Sequence, residues 1–524
     1  MSRFAKLNSV GRALPDKKRC PSVRRKSVQS RQYQWRRRAN LMRINQVIQR
    51  RRTNCLYFLV WFAITGPVCS VSAGGGSESR VLDIGSRLEL FVDRFLIDKL
   101  DRLSLRMHSP RPAEKVLFFD KPWEGTGSYY VTVFKDDDRY RMYYRGAGYR
   151  HRDRELTHQL TCYAESQDGI RWTKPELGLI EFAGSKKNNI VWDGVGTHNF
   201  APFKDTRPYC KPDEKYKALA GMKRDGGLFA CKSPDGIHWS LICEKPVITQ
   251  GAFDSQNLAF WSELEQQYVS YFRVNSKGFR AIGRCSSKNF RTWTDPVEID
   301  TDNAPREHFY TNATTPYFRA PHIYFSFPKR FYPQRKAIAD YKQSGVSDGI
   351  MMTSRNGVRF DRTFLEAFVR PRRHPNNWTD RNNSAAWGVV PTGPDEISMY
   401  YLQHYKHPSA HMRRMVLRTD GFVSVHADGR KGELITKPFR FQGKELVVNY
   451  ATSAAGSLRV ELQDVSGKPV SGHSMDKSVE LYGDEIRRVV RWKDGSDVSK
   501  LAGTPVRLRV VLRDADLYSI RFRP

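Results

Sequence analysis

The sequence predicts an all-β protein, a five-bladed β-propeller over residues 88–428 followed by a small β-sandwich over residues 429–524. Two observations predict it. The first is a recurring turn. It reads Ser166-Gln-Asp168-Gly169-Ile-Arg-Trp172, then Ser233-Pro-Asp235-Gly236-Ile-His-Trp239, then Ser287-Lys-Asn289-Phe290-Arg-Thr-Trp293 and Ser354-Arg-Asn356-Gly357-Val-Arg-Phe360. A fainter copy is Arg418-Thr419-Asp420-Gly421-Phe422. Each copy follows an alternating apolar run, as in Leu160-Thr-Cys162-Tyr-Ala164, and Asp-Gly or Asn-Gly after such a run signals a hairpin. An all-β unit repeated at this period gives one four-stranded blade per copy, so five copies predict five blades. The second observation is that no long helical periodicity appears anywhere.

The chain has 524 residues and a formal net charge of +33, which would suit a nucleic-acid binder. Residues 1–54, however, hold 17 Lys/Arg and one acid, so about half of the excess sits in a segment with no periodic apolar face. That segment leads into a secretory signal peptide. Arg50–Arg52 supply its basic region, residues 55–64 its apolar core and Val71-Ser72-Ala73 its cleavage site, with Met42 upstream as an alternative start. The expected location is therefore secreted or periplasmic. The apolar stretch is short for a membrane span, a noncleaved anchor is the alternative to a cleaved signal, and no nucleic-acid partner is expected. The mature part has five cysteines; Cys162, Cys231 and Cys285 stand at matching places before the blade aromatics and read as small buried hydrophobes.

Residues 74–87 read as a linker that begins Gly/Ser-rich. Residues 88–97 read as a strand that pairs with blade 5 and closes the ring, because closure removes exposed edges. Innermost strands are expected to start near Ser128, Asn199, Gln256, Thr311 and Ser384. Their partners are expected at 140–145, 216–223, 268–273, 322–327 and 397–402. Beyond residue 429, segments 439–441, 445–450, 458–463, 479–481, 487–492, 506–512 and 519–522 read as the short strands of the sandwich.

In a propeller, inner strands start at one end of the channel and their antiparallel partners return to it. Residues before each inner strand and after each second strand should therefore share one rim. The first group holds Trp123-Glu124, His198-Asn199, Asp254 with Asn257, Glu307-His308 with Tyr310, and Asp380-Arg381. Carboxylates beside aromatic faces suit sugar chemistry, with one acid protonating the leaving oxygen and rings stacking on the sugar. The second group holds Arg145, Lys223-Arg224, Arg273, Lys329-Arg330 and Lys406. These cations either balance the acids or hold an anion, such as a uronic-acid or sulfated glycan or a phosphate co-substrate. His404, His407 and His411 read as a polar loop, and no metal or cofactor is expected.

These residues resemble the five-bladed glycosidases of glycoside hydrolase families 32 and 43 and their relatives, including the family 130 phosphorylases. The resemblance covers residues 88–428. It implies catalytic acids at Glu124, Asp254 and Glu307, and substrate contacts at Trp123, Asn199, Asn257, Arg145, Arg273, His308, Tyr310, Arg330 and Asp380. The chain departs from the family pattern at Trp123-Glu124-Gly125, Phe253-Asp254-Ser255 and Glu307-His308. The expected function is an exported glycoside hydrolase acting on an oligo- or polysaccharide. The alternatives are a noncatalytic carbohydrate-binding propeller and a glycoside phosphorylase.

Overall fold

The structure, a computed structural model, describes residues 81–524. The basic extension, the signal peptide and the linker up to residue 80 lie outside the described residues. Apart from four short 3-10 turns, every regular element in 81–524 is a β-strand, and no helix there is long and apolar enough to cross a membrane.

Five antiparallel sheet units follow one another along residues 111–418. The first orders Ile190–Trp192, Leu160–Ser166, Arg139–Gly146 and Tyr129–Asp136. The second runs Ala201–Lys204, Tyr216–Ala220, Phe229–Ser233 and Ser240–Leu241, and the third Leu258–Ser262, Gln267–Ser276, Phe279–Ser287 and Val297–Glu298. The fourth is split into two three-stranded pieces, one around Lys329–Tyr332 and one around Ala320–Ser326. Pro328 interrupts the chain between these strands and has no N–H to extend a ladder. The fifth places Glu396–Gln403 between the short strands Ser384–Ala385 and Val390–Pro391 on one side and His411–Arg418 on the other, with Arg111–Phe118 outermost.

Middle strands are buried on both faces. All of the middle strand Tyr216–Ala220 is buried, and so is the first strand Leu258–Ser262, as expected for strands covered by neighbouring sheets. Neighbours follow a regular order. Strand Ala201–Lys204 contacts both Tyr129–Asp136 and Leu258–Ser262; Phe279–Ser287 contacts His308–Phe309; Val346–Gly349 contacts Ser384–Ala385; and Val390–Pro391 contacts Tyr129–Asp136. Thr132 also bridges to Trp387.

The recurring turn repeats in atomic detail. Ser166 Oγ accepts from the Gly169 N–H at 2.9 Å, Asp168 Oδ1 from Ile170 and Arg171, and Trp172 Nε1 donates to Gly169 O at 3.1 Å. Ser233 and Asp235 make the same set with Gly236, Ile237 and His238. Asn289 and Asn356 replace the Asp with equal geometry. The turn needs a left-handed residue, met by Gly169 (φ 72°), Gly236 (φ 81°) and Gly357 (φ 72°), and at strain by Phe290 (φ 64°). The glycine carbonyls are also cross-sheet anchors. Tyr400 of the fifth sheet donates to Gly169 O at 2.6 Å, Tyr143 of the first to Gly236 O at 2.9 Å, and Tyr271 of the third to Gly357 O at 2.6 Å. The fifth copy is not this turn. There Asp420 takes positive φ, and its buried carboxylate accepts from Tyr317 and Arg319.

Three expectations are corrected. Residues 88–97 do not join the fifth sheet; Glu89–Leu90 pairs with Ser519 and Ile520, and Ile97–Asp101 with Gly432–Thr436. Arg111–Phe118 takes the place expected of them, against His411–Arg418. The expected linker contains a strand, Leu82–Gly85, paired with Phe439–Phe441. Four of the expected C-terminal strands fuse into two long ones, Glu445–Gln463 and Arg507–Arg523; Phe439–Phe441 stands as expected, Asp484–Val489 takes the place of 487–492, and 479–481 makes only an isolated bridge from Leu481 to Leu458. Residues 451–457 are turn-like in composition, but pairing continues through a bulge between Thr452 and Ser457, so the partner strand overrides local preference. One core joins the first and last described segments: Ile84, Phe91, Leu96 and Ile97 pack with Leu446, Leu458, Val510 and Phe522.

Candidate functional site

A cavity of about 180 Å³ takes wall residues from all five sheet units. Tyr129, Tyr130, His198, Asp254, Tyr310 and Arg381 come from segments at or before first strands, and Arg145, Tyr405 and Lys406 from the ends of second strands. Members of both expected rim groups meet in this wall. Among the described residues Asp254 is the one carboxylate in the wall, its side chain 46% exposed.

Asp254 is held from several sides. His198 Nε2 lies 3.0 Å from Oδ1, Tyr130 Oη donates to Oδ1 at 3.3 Å, and Arg273 Nη2 lies 3.5 Å from Oδ2. Burial alone would raise its pKa, but the His198 hydrogen bond and the charges of Arg273 and Arg145 outweigh this and hold it far below the usual carboxylate range. Burial, reinforced by Arg145, lowers His198 to about 4, so at neutral pH the imidazole is uncharged and donates its Nε2–H to Asp254. The loop carrying Asp254 is fixed from below. Asn199 Nδ2 donates to Phe253 O at 2.6 Å and to Ser255 O at 3.0 Å, and Asn257 Nδ2 to Phe253 O at 3.1 Å.

Cations stand in and behind the same wall. Arg145 is planted on Gly127 O at 2.8 Å and lies 5.1 Å from the Tyr130 ring centre. Arg273 lies 5.0 Å from the Tyr310 ring. Arg381 chelates Asp380, and Lys406 reaches the same carboxylate at 2.9 Å. Lys329 is fully buried behind the wall, in contact with the Tyr129 hydroxyl and 4.3 Å from the Tyr310 ring. Burial, with Arg381 adding to it, pushes the Lys329 amine well below an ordinary lysine. Tyr130 (φ 49°), Arg381 (φ 58°) and Lys406 (φ 67°) all have left-handed backbones, and such strain in non-glycine residues gathers at functional sites.

The structure does not bring the three expected acids together. Glu124 is enclosed, its side chain 0% exposed, with Tyr144 donating to it at 2.5 Å and Lys174 at 2.7 Å. Lys174 also binds Asp120 and Phe118 O, so this cluster pins the loop before the first sheet. Glu307 is neutralised by Arg362 at 2.7 Å and Arg330 at 3.3 Å, and lies outside this cavity's wall. The expected sugar contacts divide likewise. Arg145 and Tyr310 line the cavity, and Arg273 stands directly on Asp254. Asn199 and Asn257 are fully buried loop anchors. Asp380 is buried beneath Arg381 and Lys406. Trp123 donates to Asn189 at 2.6 Å, His308 packs on Phe279, and Arg330 is occupied by Asp348 and Glu307, so none of these three lines the cavity. Sequence reasoning passed over Tyr129, Tyr130 and Tyr405. Their signal was aromatic doublets and singlets at the predicted strand boundaries.

No family model matches the chain, and no curated protein matches it in sequence. Solved structures similar to it include an N-acetylgalactosamine deacetylase from F. plautii (11% identity, 61% of this chain and 96% of that one, TM-score 0.38). They also include a fructofuranosidase from Schwanniomyces occidentalis (10%, 79% and 97%, 0.37) and a β-1,2-mannobiose phosphorylase from Listeria innocua (12%, 56% and 89%, 0.37). These TM-scores lie below one half, so the reading of the site stands on its own residues.

Proposed function

We propose that this protein is an exported enzyme that cleaves glycosidic bonds in a negatively charged glycan, with Asp254 as its acid-base carboxylate. The five sheets serve as blades of one ring, with Arg111–Phe118 completing the fifth, and residues 82–107 and 423–524 form the accompanying sandwich. One observation carries the reading: of the three expected acids, Asp254 alone opens into a tyrosine-lined cavity, where the Arg273 and Arg145 charges act on it. The tyrosines offer faces and hydroxyls to sugar rings. Arg145, Arg273 and Arg381 suit a carboxylate or sulfate on the sugar.

Held this far below the usual range, Asp254 is ionised at neutral pH. An anionic substrate adds a like charge beside it and draws off the arginines, and both effects raise its pKa toward that of a general acid. Protonated Asp254 then gives its proton to the glycosidic oxygen, the bond from that oxygen to the anomeric carbon breaks, and water adds to the carbon and releases a proton. The site also favours a second reading. Glycoside hydrolysis normally employs two carboxylates, and Glu124 and Glu307 are both tied up elsewhere. Inorganic phosphate in the cation cluster would attack without needing a carboxylate base, which makes the reaction a phosphorolysis.

Turnover of neutral and anionic oligosaccharides, with and without phosphate, tests both readings. Cleavage of an anionic glycan should fall about 10²–10⁴-fold in Asp254→Asn. Full activity in that variant overturns the assignment, and strict dependence on phosphate selects phosphorolysis over hydrolysis.

A further inference from the structure

We propose that a second cleft beside the cavity is a subsite for an extended polyanionic glycan chain, so that the substrate is a polymer with repeated carboxylate or sulfate groups. The inference rests on the glycan reading of the cavity and adds the length of the chain and its charge pattern.

The cleft has a volume of about 550 Å³, roughly three times that of the cavity. Its walls hold four arginines, Arg330, Arg335, Arg370 and Arg372, against one acid, Asp348. Asp348 is already bound by Arg330, at 2.7 and 2.9 Å. Arg335, Arg370 and Arg372 are exposed, and none of them forms an ion pair with another described residue. Three uncompensated guanidiniums in one concavity raise the local concentration of anions and favour a ligand with several charges over one with a single charge.

An aromatic surface lies among these charges. Trp378, 37% exposed, is fixed by its Nε1 donating to Arg372 O at 2.6 Å. Tyr332 carries the Arg335 guanidinium 4.5 Å from its ring. Ordered aromatic groups beside arginines fit an acidic sugar chain, whose rings have apolar faces and charged edges.

The cleft adjoins the cavity. Trp378 in the cleft and Arg381 in the cavity are three residues apart, at most about 10 Å of backbone. Ser347, in the cleft wall, donates its hydroxyl to the carbonyl of Asn382, the residue after Arg381, at 2.7 Å. A chain seated on Asp254 therefore reaches the arginines after a few sugars. This continuity with a sugar-sized acid site favours a glycan over a nucleic acid, which is also a polyanion.

The test is binding, measured by calorimetry on the whole protein and independent of turnover. The probes are galacturonate oligomers of two and eight units, dextran sulfate, neutral dextran and a single-stranded oligonucleotide. The eight-unit galacturonate should bind about tenfold or more tighter than the two-unit one at low salt, a difference of about 1.4 kcal/mol. The gain should disappear at high salt. In Arg370→Ala/Arg372→Ala, and separately in Arg335→Gln, the two-unit affinity should persist while the gain with length is lost. Dextran sulfate binding tighter than galacturonate would assign sulfate as the recognised group, and the reverse would assign carboxylate. Equal affinity for both lengths, a length gain that survives all three substitutions, no binding of any acidic glycan, or tighter binding of the oligonucleotide would overturn the proposal. Loss of turnover in Asp254→Asn tests the cavity separately, so failure of one reading is distinguishable from failure of the other.

Discussion

At the scale of the residue, Asp254 and Glu124 make opposite uses of a carboxylate. Asp254 faces a cavity, whereas Glu124 is closed in by Tyr144 and Lys174. Glu124→Gln should therefore lower thermal stability and leave turnover within a few-fold, unlike Asp254→Asn. Breaking a buried pair leaves its partner charge unpaired and is strongly destabilising, by about 3–5 kcal/mol. A melting curve and a rate on each variant separate the two roles. The histidines predict a pH response. Burial and nearby cations lower His198 to about 4; burial and the neighbouring His411 and His374 lower His404 to about 3; and burial, against a Ser409 carbonyl bond, lowers His411 to about 4. Their folded pKa values lie below the unfolded value, so the unfolded chain takes up protons first as pH falls. Stability from these groups is complete above about pH 6.5 and is lost toward about pH 4, and the melting temperature should fall through that window. The sequence showed which positions share a rim, because strand order sets that, and so Asp254, Arg145 and Tyr310 were legible. It did not show which acids stay open. That depends on Lys174 for Glu124 and on Arg362 for Glu307, partners fifty or more residues away.

At the scale of the element, the recurring turn is a joint between sheets as well as a hairpin end. Tyr143 donates to Gly236 O, so a side chain at Gly236 would disturb that contact. A Cβ there would lie 2.7 Å from Tyr143 Oη and 2.9 Å from Arg141 Nη1, at φ 81°. Gly178 has a similar φ of 71° with nothing within 4 Å. Gly236→Ala should cost about 1–3 kcal/mol more than Gly178→Ala in denaturant unfolding. Equal losses would show that backbone strain alone matters. The four strong copies were legible because Ser and Asp/Asn make the same local bonds in each, and Trp172 and Trp239 add an indole bond to the glycine carbonyl. The fifth was misread, since Asp-Gly there serves a buried Asp420 bound by Tyr317 and Arg319, contacts that no local pattern encodes.

At the scale of the whole molecule, the first and last segments of the described residues depend on each other. Strands from 82–107 complete the C-terminal sheet, and Ile84, Phe91 and Ile97 enter its core. A fragment of residues 429–524 alone should be insoluble or unfolded by circular dichroism, and a fragment of residues 423–524 co-expressed with residues 81–107 should recover β-structure. A folded, monomeric 429–524 would contradict this. Class and sheet content were readable from repeats, but pairing between the first and last described segments was not, because short alternating strands carry no label for a distant partner. The central claim is that the five sheet units converge on one acid inside a cationic, tyrosine-lined cavity that binds an anionic sugar. The most direct measurement is calorimetry on Asp254→Asn with a matched pair, galacturonate trimer and galactose trimer, at low and high salt. The account predicts tighter binding of the acidic trimer, weakening as salt rises. Equal affinity for the two trimers, unchanged by salt, would contradict it.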